Sequence, residues 1–342
     1  MKKINLGQKD VIHFIGIGGI GMSGLAQVMN NMGFRIQGSD QTKNKNTISC
    51  LKSGIKIFIG HSSINIKKAT IIVKSTAIKN NNIELRFARK NKIPIYSRAE
   101  VLADAVSLKK NIIITGSHGK TTTTSLVAKI LSDQKLDPTI INGGVINSFK
   151  SNAKLGKGDW AILEADESDG SFLKLPINYS IITNIDHEHL DYYKSFENLE
   201  KSFIEFINKT PPTGKSIICL DNDNIQKILK KIKNKNIITY GENKKADYKI
   251  KRIRYNTEST KFDLSFKDKL KRNKDIKNIT VRLLGKHNVL NAAAAFIVCL
   301  NLGANLKSAK KSLIKFSGVQ RRMTKIFSKN KNDFYDDYAH HP

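Results

Sequence analysis

The stretch NIIITGSHGKTTTTSL contains a shortened phosphate-loop pattern. The usual pattern has a glycine, four intervening residues, and then Gly-Lys-Thr or Gly-Lys-Ser. Here two residues separate Gly116 from the Gly-Lys-Thr triplet that begins at Gly119. The loop still lies between an apolar β-branched run and a stretch that can begin a helix. We predict that Lys120 contacts the β- and γ-phosphates of a nucleotide and that Thr121 or Thr122 faces Mg²⁺. The competing interpretation is a threonine-capped helix start with a surface lysine.

A second glycine-rich stretch, GIGGIGMSG, follows an apolar run near the N-terminus. Gly16, Gly18 and Gly21 fit the pattern G-x-G-x-x-G, and Asp40 ends the next predicted strand. By itself this pattern predicts a dinucleotide with the acid on its ribose. The physical basis is broader, because glycine-presented N–H groups and a helix N-terminus favour any nucleotide diphosphate. The alternative is a tight strand–helix turn without a ligand.

Acidic and histidine residues follow two further apolar strands. EADESDGSF spans residues 164–172, and TNIDHEHLDYY spans residues 183–193. A carboxylate at the end of the first strand can hold the cation that bridges ATP phosphates, and His187 or His189 can be a second ligand of that cation. The spacing is not a zinc motif. The alternative for both stretches is a solvated polar loop.

Three later stretches carry weaker signals. Asn288 and Asn291 lie one helical turn apart and can present amides to a base edge, or they can simply begin a helix. Arg321 and Arg322 can neutralise phosphoryl charge, or they can belong to the general basicity of the chain. The sequence ends in DDYAHHP, which places two acids close to two histidines.

Alternating strands and helices must position these groups. Apolar strand-like runs precede the motifs and helix-spaced runs follow them, which predicts parallel α/β sheets with short connections. A new strand begins after Leu108, so we place a domain boundary there. Residues 246–284 alternate at period two, which predicts an antiparallel β excursion. The run NVLNAAAAFIVCLNLG predicts a helix that ends at Gly303.

The composition limits the class of protein. The 342 residues suffice for two or three domains, and 59 basic minus 29 acidic residues give a net charge of +30. Because the lysines form no arm with interleaved aromatic residues, we interpret this charge as compositional and not as a nucleic-acid interface. A basic surface still attracts polyanionic substrates. No apolar run reaches the ~20 residues of a membrane helix. Three widely spaced cysteines indicate a reduced, cytoplasmic chain.

Taken together, these stretches resemble the Mur ligase family, from about Ile12 to Pro342. The segments that carry the resemblance are, in order, HFIGIGGIGMSGLA, GSD, TAIKNNNIE, IPIYSRAEVLA, TGSHGKTTTT, EADESDGSF, TNIDHEHLDYY, GKHNVLNAAAA, GVQRRM and DDYAHHP. The short glycine loop is typical of the family, and His118 within it points to the branch that adds alanine. The resemblance implies a Rossmann-like UDP-sugar domain over 1–108, a central P-loop-type α/β ATPase domain over 109–325, and the truncated start of a C-terminal ligase domain over 326–342.

The resemblance also implies roles for individual residues. The implied catalytic residues are Lys120, Glu164, His189 and Arg322, and the implied Mg²⁺ ligands are Thr121, Glu164 and His189. Glu167 or Asp169 would alternatively hold the metal or the incoming amine. ATP would contact Gly116, Ser117, His118, Gly119, Lys120, Thr121, Thr122, Asn288, Asn291, Arg322 and Asp337. The uridine diphosphate sugar would contact Gly18, Gly19, Ile20, Gly21, Met22, Ser39, Asp40, Ser75 and Thr76.

The reaction implied by the resemblance is ATP-driven amide formation in peptidoglycan precursor synthesis. The lactyl carboxylate of UDP-N-acetylmuramate would attack the γ-phosphate to give an acyl phosphate, which the amine of L-alanine would then attack. ATP and Mg²⁺ are the implied cofactors. The nucleotide sugar and L-alanine are the implied partners, with no nucleic acid and no membrane insertion. Positioning and electrostatic stabilisation by Lys120 and Arg322 would supply most of the catalysis.

The sequence departs from the family pattern at several points. Ser117 replaces a usual threonine, Met323 a usual aromatic residue, and Ala339 the glycine that is usual in this branch. Lys201 does not clearly match the carbamylated lysine of sister ligases and is left unassigned. The family continues beyond DYAHHP with a further α/β domain. We therefore expect this chain to bind the UDP-sugar and ATP but to show little ligase turnover.

Other functions fit parts of the sequence. A nicotinamide-dependent oxidoreductase would explain the first glycine loop and Asp40, but it leaves Lys120 and Glu164 without a role. Another Mur-type amino-acid ligase, such as a murein-peptide ligase, would use the same motifs with a different acceptor. A nucleotide-binding fragment would use them without turnover. NADH binding, the amino acid that stimulates ATP turnover, and the mass of the natural gene product distinguish these functions.

Overall fold

The computed structural model describes residues 4, 6–7, 9–268, 270–322, 324–329 and 332–337. Met323 and the last five residues of the DDYAHHP motif, which include Ala339, lie outside the described residues. The described chain forms two large β-sheets and one two-stranded sheet. Helices alternate with the strands of the two large sheets. This arrangement confirms the predicted α/β class.

The N-terminal sheet has five parallel strands in the order β3-β2-β1-β4-β5. They are β1 (Val11–Ile15), β2 (Arg35–Asp40), β3 (Lys56–Ile59), β4 (Ile71–Lys74) and β5 (Ile95–Ser97). The accompanying helices are α1 (Ile20–Asn31), α2 (Lys45–Lys52), α3 (Ile83–Lys90) and α4 (Arg98–Ala105). The strand order reverses between β1 and β4. The first glycine loop follows β1, so it opens at the switch point where α/β sheets bind ligands.

Side chains at the helix starts explain where these helices begin. Asn44 and Thr47 form a capping box at α2, and Ser97 and Glu100 form another at α4. Each box satisfies N–H groups that have no partner within the helix. Helix α1 instead begins after Gly19, which makes no side-chain cap. The N-terminus of α1 therefore offers uncapped N–H groups to an anion.

The central sheet has ten strands in the order β15-β14-β13-β12-β11-β10-β6-β9-β7-β8. They are β6 (Lys110–Thr115), β7 (Thr139–Ile146), β8 (Ser151–Lys154), β9 (Trp160–Glu164), β10 (Tyr179–Ile182), β11 (Lys215–Cys219), β12 (Ile237–Gly241), β13 (Tyr248–Tyr255), β14 (Thr260–Lys267) and β15 (Asn273–Val281). The helices are α5 (Lys120–Asp133), α6 (Leu190–Tyr193), α7 (Phe196–Asn208), α8 (Asp223–Leu229), α9 (Lys286–Asn301) and α10 (Leu306–Ile314).

The predicted antiparallel excursion is confirmed as β13–β15. It is not a separate layer, because Tyr240 of β12 pairs in parallel with Tyr248 of β13 and so extends the main sheet. At the other edge, β7 and β8 form an antiparallel hairpin. Our sequence analysis did not predict this hairpin or α10. The hairpin lies beside α1, since the Asn152 amide of β8 donates to the Ile20 carbonyl at 2.9 Å.

Helix α9 lies in the core of the central unit. Its four consecutive alanines, Ala292–Ala295, are fully buried, and their small side chains allow α9 to lie closely against α5. The helix ends as predicted. Gly303 follows its last turn with a φ of +85°, a conformation that glycine adopts without a Cβ penalty.

The predicted domain boundaries fall near changes of sheet. The boundary between residues 108 and 109 lies just before β6, whereas the one between 325 and 326 lies inside β16 (Thr324–Lys329). Strands β16 and β17 (Asn332–Asp336) form the two-stranded antiparallel sheet. The boundaries themselves remain predictions. Among the described residues, no helix has the length and apolar character that crossing a membrane requires. The three cysteines are buried free thiols.

Candidate active site

The shortened glycine loop connects β6 to α5 at the carboxyl end of a strand inside the central sheet. Gly116 and Gly119 have φ values of +127° and +83°, a region that favours glycine. A Cβ on Gly116 would overlap the Thr183 hydroxyl and lie 2.8 Å from the Asn184 carbonyl oxygen. A Cβ on Gly119 would overlap the Asn291 amide. Both the backbone conformation and the neighbours therefore require glycine at these positions.

The residues after β10 support this loop from the next strand. The Thr183 hydroxyl donates to the His118 carbonyl at 2.6 Å, and the Asn184 side-chain oxygen accepts from the His118 N–H at 2.7 Å. The Ser117 hydroxyl accepts from the Asp186 N–H at 2.8 Å. Sequence reasoning missed the roles of Thr183 and Asn184. The signal was available, because polar residues that directly follow an apolar parallel strand lie at the functional edge of the sheet.

Lys120 is the first residue of α5 and lies at the centre of the site. Its Nζ donates to the Gly116 and Ser117 carbonyls at 2.6 and 3.1 Å and to Glu167 Oε1 at 3.0 Å. Thr122 follows on the same first turn and is half-buried. The predicted loop residues are therefore gathered around one ammonium group. This arrangement suits an anionic ligand at a helix N-terminus.

Thr121 and Glu164 form the first of two acidic sub-sites. The Thr121 hydroxyl donates to Glu164 Oε1 at 3.0 Å, and the Gly143 N–H donates to Oε2 at 2.6 Å. Burial raises the pKa of Glu164, although the Gly143 N–H, the Lys120 charge, the Thr121 hydroxyl and the Arg322 charge oppose the rise. Arg322 therefore lies close enough to act on this carboxylate. A buried carboxylate beside a threonine hydroxyl is an oxygen ligand set of the kind that Mg²⁺ prefers.

Gly143 and its neighbour Gly144 lie against the first sub-site, and sequence reasoning missed them. A Cβ on Gly143 would lie 2.7 Å from Glu164 Cδ. A Cβ on Gly144 would lie 2.8 Å from Thr121 Cγ2. Two consecutive glycines within a strand weaken it unless another group must approach closely. The pair in β7 was the available signal.

Asp166, Glu167 and His189 form the second sub-site. Each offers one ligand atom, and these atoms lie within 4.8 Å of one another. Glu167 is 1% exposed, and its Oε2 lies 3.0 Å from Lys120 Nζ without a well-directed hydrogen bond. A hydrogen bond with Glu167 raises the pKa of His189, and burial opposes this rise. A buried carboxylate oxygen with an unfilled hydrogen-bonding capacity is suited to a cation.

The structure therefore divides the predicted Mg²⁺ ligands between two sub-sites. Thr121 and Glu164 are together, whereas His189 contacts Glu167 at 3.6 Å. Of the two alternatives left open by the sequence, Glu167 faces Lys120, and Asp169 accepts the N–H of Ser171 in its own turn. His187 stacks on Phe196 with 3.8 Å between ring centroids. Its ring thus has a packing partner outside both sub-sites.

The N-terminus of α9 closes the loop from the other side. Asn291 is 6% exposed and lies against Gly119, and its amide donates to Asn288 Oδ1 at 3.3 Å. Burial lowers the pKa of His287, and the charge of Asp337 opposes this decrease. Asp337 therefore lies near the start of the helix that carries both asparagines. These three predicted ATP contacts lie around one end of α9.

The first glycine loop is held by the carboxyl end of β2. Gly18 N–H donates to Asp40 Oδ2 at 2.7 Å. A Cβ on Gly16 would lie 3.2 Å from Ser75 Cβ, and the neighbouring Thr76 is exposed. The structure thus places Asp40, Ser75 and Thr76, which the sequence predicts as sugar-nucleotide contacts, around the first glycine loop.

Two of the predicted sugar-nucleotide contacts have side chains that point elsewhere. Met22 is 3% exposed and belongs to the hydrophobic core. The Ser39 hydroxyl is fully buried and donates to Glu84 Oε2 at 2.6 Å. Of Ser39, the main-chain carbonyl contacts the loop, because it accepts the N–H groups of Gly16 and Ile17.

Arg98 joins the two halves of the site, and sequence reasoning did not single it out. It is the first residue of α4, and a Cβ on Gly21 would lie 2.9 Å from its NH1 atom. Burial would raise the pKa of Asp166, but the Ser168 N–H, Lys120 and Arg98 outweigh burial and lower it. Arg98 thus lies between the first glycine loop and the second sub-site. Its place in the SRAE capping box was the available signal.

Comparison with known proteins identifies related chains. Residues 11–110 match the Mur ligase family, catalytic domain, and residues 114–299 match the Mur ligase middle domain. The chain is 55% identical over 340 residues to a protein from Pelagibacter ubique named UDP-N-acetylmuramate–L-alanine ligase. The alignment covers 99% of this chain and 73% of that protein. A Brucella anthropi protein of the same name is 44% identical and is covered over 72% of its length.

Solved structures agree with this relationship. The crystal structure of UDP-N-acetylmuramate–alanine ligase from Thermotoga maritima superposes with a TM-score of 0.84 at 30% identity, covering 96% of this chain and 74% of that one. A murein peptide ligase from Psychrobacter arcticus has the same fold, with a TM-score of 0.81 at 23% identity. The family matches, the sequence identities and the shared fold together show that the chain belongs to the Mur ligase family.

Proposed function

We propose that the chain is an ATP-dependent ligase that joins L-alanine to UDP-N-acetylmuramate. The observation that carries the proposal is the placement of Lys120 at a phosphate loop, where it donates to the buried Glu167 and its charge acts on Glu164. An oxidoreductase has no use for this arrangement. The substrate assignment is supported by the names of relatives that are 55% and 44% identical. The proposed UDP-sugar and ATP-binding domains are residues 1–108 and 109–325.

The sugar nucleotide is proposed to bind at the first glycine loop. The uncapped N-terminus of α1, with Gly21 in its first turn, favours a diphosphate. The Arg98 guanidinium lies beside Gly21 and adds positive charge there. Asp40 already accepts the Gly18 N–H and sets the width of the loop. These features support a uridine diphosphate as well as they support a dinucleotide.

ATP is proposed to bind at the second loop, with its phosphates on Lys120 and the start of α5. Asn288, Asn291 and Asp337 are proposed to contact the nucleoside, because they lie at the end of α9 that faces Gly119. The hydroxyl of Thr121 and the carboxylate of Glu164 are oxygen ligands that fit Mg²⁺. Asp166, Glu167 and His189 form a second possible ligand set, with two carboxylates and one imidazole. When bound, Mg²⁺ would neutralise phosphate oxygens.

The proposed chemistry is carboxylate activation followed by amide formation. The lactyl carboxylate attacks the γ-phosphorus of ATP, the bond to the bridging oxygen breaks, and ADP leaves. The alanine amine attacks the acyl carbon, loses a proton, and phosphate leaves. Lys120 and Arg322 stabilise the negative charge on the transferred group, and Arg98 orients the sugar nucleotide between the two loops.

The binding part of the proposal is tested on this chain by titration calorimetry. We expect UDP-N-acetylmuramate and a non-hydrolysable ATP analogue with Mg²⁺ to bind at separate sites, and NADH to show no binding. Glu205→Gln, which neutralises an exposed carboxylate on α7 paired with Lys209, serves as the control variant for both titrations. Binding of NADH in competition with the sugar nucleotide would contradict the proposal.

The catalytic part is tested by phosphate release with the protein in molar excess over the sugar nucleotide, so that one turnover is detectable. We expect release to require L-alanine, UDP-N-acetylmuramate and Mg·ATP together. Release that depends on a peptide and not on L-alanine would instead support a murein-peptide ligase. Release without any amino acid would indicate a simple ATPase and would sink the assignment.

A further inference from the structure

A buried polar cluster lies inside the N-terminal sheet, behind the first glycine loop. The Glu84 cluster, as we call it, consists of His13, Gln37, Ser39, His61, Asn65 and Glu84. Three of its members, His13, Ser39 and Glu84, are fully buried. Glutamate is almost never fully buried unless it is paired. The reaction proposed above gives this carboxylate no task, so its burial calls for another explanation.

Glu84 is surrounded by partners from three different segments. Its Oε2 accepts the Ser39 hydroxyl of β2 at 2.6 Å and lies 3.0 Å from His61 Nδ1. Its Oε1 accepts the Asn65 amide at 2.8 Å. Burial by itself would raise the pKa of Glu84, but hydrogen bonds with His13, Ser39 and Asn65 outweigh burial and lower the pKa to about 2. The carboxylate is therefore charged at neutral pH and holds its donors strongly.

The cluster continues to β1 and fixes the side chains of β2. One ring nitrogen of His13 lies 3.2 Å from Ser39 Oγ, and the other lies 3.1 Å from Gln37 Nε2. The Gln37 amide also donates to the Asn65 carbonyl at 2.9 Å. Ser39 Oγ also lies 3.1 Å from His61 Nδ1, so that its one donor and two acceptor directions all have partners within the cluster. Ser39 has little freedom to move.

Ser39 connects this cluster to the loop. Its carbonyl accepts the N–H groups of both Gly16 and Ile17, at 2.9 and 3.1 Å. The next residue, Asp40, accepts the N–H of Gly18 at 2.7 Å. Three consecutive N–H groups at the start of the glycine loop are therefore held by two consecutive residues at the end of β2. The position of β2 determines the position of the loop.

We propose that Glu84 is a positioning residue for the sugar-nucleotide loop, acting through Ser39. The buried carboxylate fixes the Ser39 side chain, the Ser39 carbonyl fixes Gly16 and Ile17, and the loop is held in its binding conformation before the ligand arrives. A preorganised loop binds more tightly because ordering it costs nothing at the moment of binding. This inference rests on the proposed function, since it takes the loop to be the uridine diphosphate site.

The test uses Glu84→Gln and Ser39→Ala in the full chain, with UDP as the probe. We expect each variant to bind UDP about tenfold more weakly, whereas the affinity for the ATP analogue with Mg²⁺ stays within about twofold of that of the unmodified chain. The matched control is Ser216→Ala. Ser216 is also a fully buried serine whose hydroxyl bonds to two other hydroxyls, those of Ser180 and Thr210, but it lies in the central sheet. We expect Ser216→Ala to leave UDP affinity unchanged.

Amide hydrogen exchange gives a second measurement that does not depend on nucleotide. We expect the N–H groups of Gly16, Ile17 and Gly18 to exchange faster in Glu84→Gln, with no change at Gly116 and Gly119. A chain that does not bind UDP at all would overturn the proposed function, and exchange alone would then decide the role of Glu84. Unchanged exchange together with unchanged UDP affinity would overturn the positioning role. An equal loss of affinity for both nucleotides would also overturn it, because it would indicate general destabilisation. If Glu84→Gln does not fold, Ser39→Ala provides the same comparisons.

Discussion

Glu164 is a carboxyl group in the proposed ATP half of the site whose ionised form is disfavoured by burial. It is enclosed between the Thr121 hydroxyl and the Gly143 N–H, and burial raises its pKa. The ionised form of such a group costs stability, because the charge has lost water. A bound cation would offset this cost. A site that binds a metal therefore sacrifices stability in the free protein, and this trade-off can be measured.

We expect Glu164→Gln to weaken Mg²⁺-dependent binding of an ATP analogue by at least about tenfold, which is about 1.4 kcal/mol. We also expect it to raise the melting temperature of the free protein, because a neutral amide avoids the buried charge. The folded pKa lies above the unfolded value, so the destabilisation is present at neutral pH and disappears as the pH falls through the folded pKa. Calorimetric titration and melting curves between pH 4 and 8 check both effects.

The exposed-carboxylate variant Glu205→Gln is the control for this comparison. It should change neither the metal dependence of binding nor the pH dependence of the melting temperature. Equal affinity of the Glu164→Gln variant for the analogue with and without Mg²⁺ agrees with our assignment. Full retention of the Mg²⁺ effect would show that the second sub-site alone holds the metal.

At the scale of elements, the β7–β8 hairpin contributes more to the site than its sequence suggests. Gly143 and Gly144 bring the β7 backbone against Glu164 and Thr121. The other strand of the hairpin donates from Asn152 to the Ile20 carbonyl at the start of α1. One hairpin therefore touches both glycine-loop regions. The hairpin contributes because the backbone of its glycines lies close to Glu164 and Thr121. A hydrophobic pattern in the sequence does not predict such a contact.

We expect Gly143→Ala to reduce phosphate release about 10²-fold, because the new methyl would displace Glu164 and small misplacements of catalytic groups have effects of this size. The added Cβ would lie 2.7 Å from Glu164 Cδ. Affinity for UDP should stay unchanged, since the three nearest atoms that the added Cβ would meet all belong to Glu164. Single-turnover phosphate release measures the expected loss of rate, and UDP titration measures the expected unchanged affinity. An unchanged rate of phosphate release would mean that the reaction tolerates a displaced Glu164 side chain.

The cap of α4 has a similar dual role. Ser97 and Glu100 form the capping box, and Arg98 lies directly inside it. We expect Ser97→Ala to lower the free energy of unfolding by about 0.5–2 kcal/mol and to weaken UDP binding as well, because Arg98 loses its fixed position. Chemical denaturation and UDP titration provide the measurements.

Asn305→Ala is the matched control for the Ser97 variant. Asn305 caps α10 by accepting the Ser308 N–H at 3.0 Å, and α10 carries no predicted site residue. It should cause a comparable loss of stability with normal UDP affinity. Similar weakening of UDP binding in both variants would mean that the effect comes from general stability and not from Arg98.

At the scale of the whole molecule, the stability of the N-terminal unit should depend on acid pH through Glu84. Its folded pKa of about 2 lies below the ordinary glutamate pKa of 4.5. A depressed carboxyl pKa stabilises the fold above the unfolded pKa, and this stabilisation is lost as the pH falls from about 4.5 towards about 2. The difference corresponds to about 3 kcal/mol at neutral pH. Denaturation of the chain and of Glu84→Gln across this window should show a steeper loss in the unmodified chain. Parallel curves for the two proteins would contradict the expectation.

Much of the molecule could be predicted from local patterns in the sequence. The strands before both glycine loops, the helix that ends at Gly303 and the β13–β15 excursion all follow from short-range periodicity and end signals. The β7–β8 hairpin escaped this reasoning because two glycines interrupt its apolar pattern. Arg98 and Asn184 escaped it because a single polar residue at an element boundary is common without any function.

The sequence by itself determined the strand–helix alternation outside the β7–β8 hairpin and α10, the two glycine loops, and the family. It determined which residue types are present at the core of the site, because the two glycine loops and the two acidic stretches each directly follow an apolar strand. Only the tertiary structure decided which side chains meet. It placed Glu164 with Thr121 and Gly143, placed His189 with Glu167, and turned the Ser39 hydroxyl into the sheet. The physical reason is that local spacing fixes where strands begin and end, whereas contacts between strands depend on sheet order and register, to which distant parts of the chain contribute.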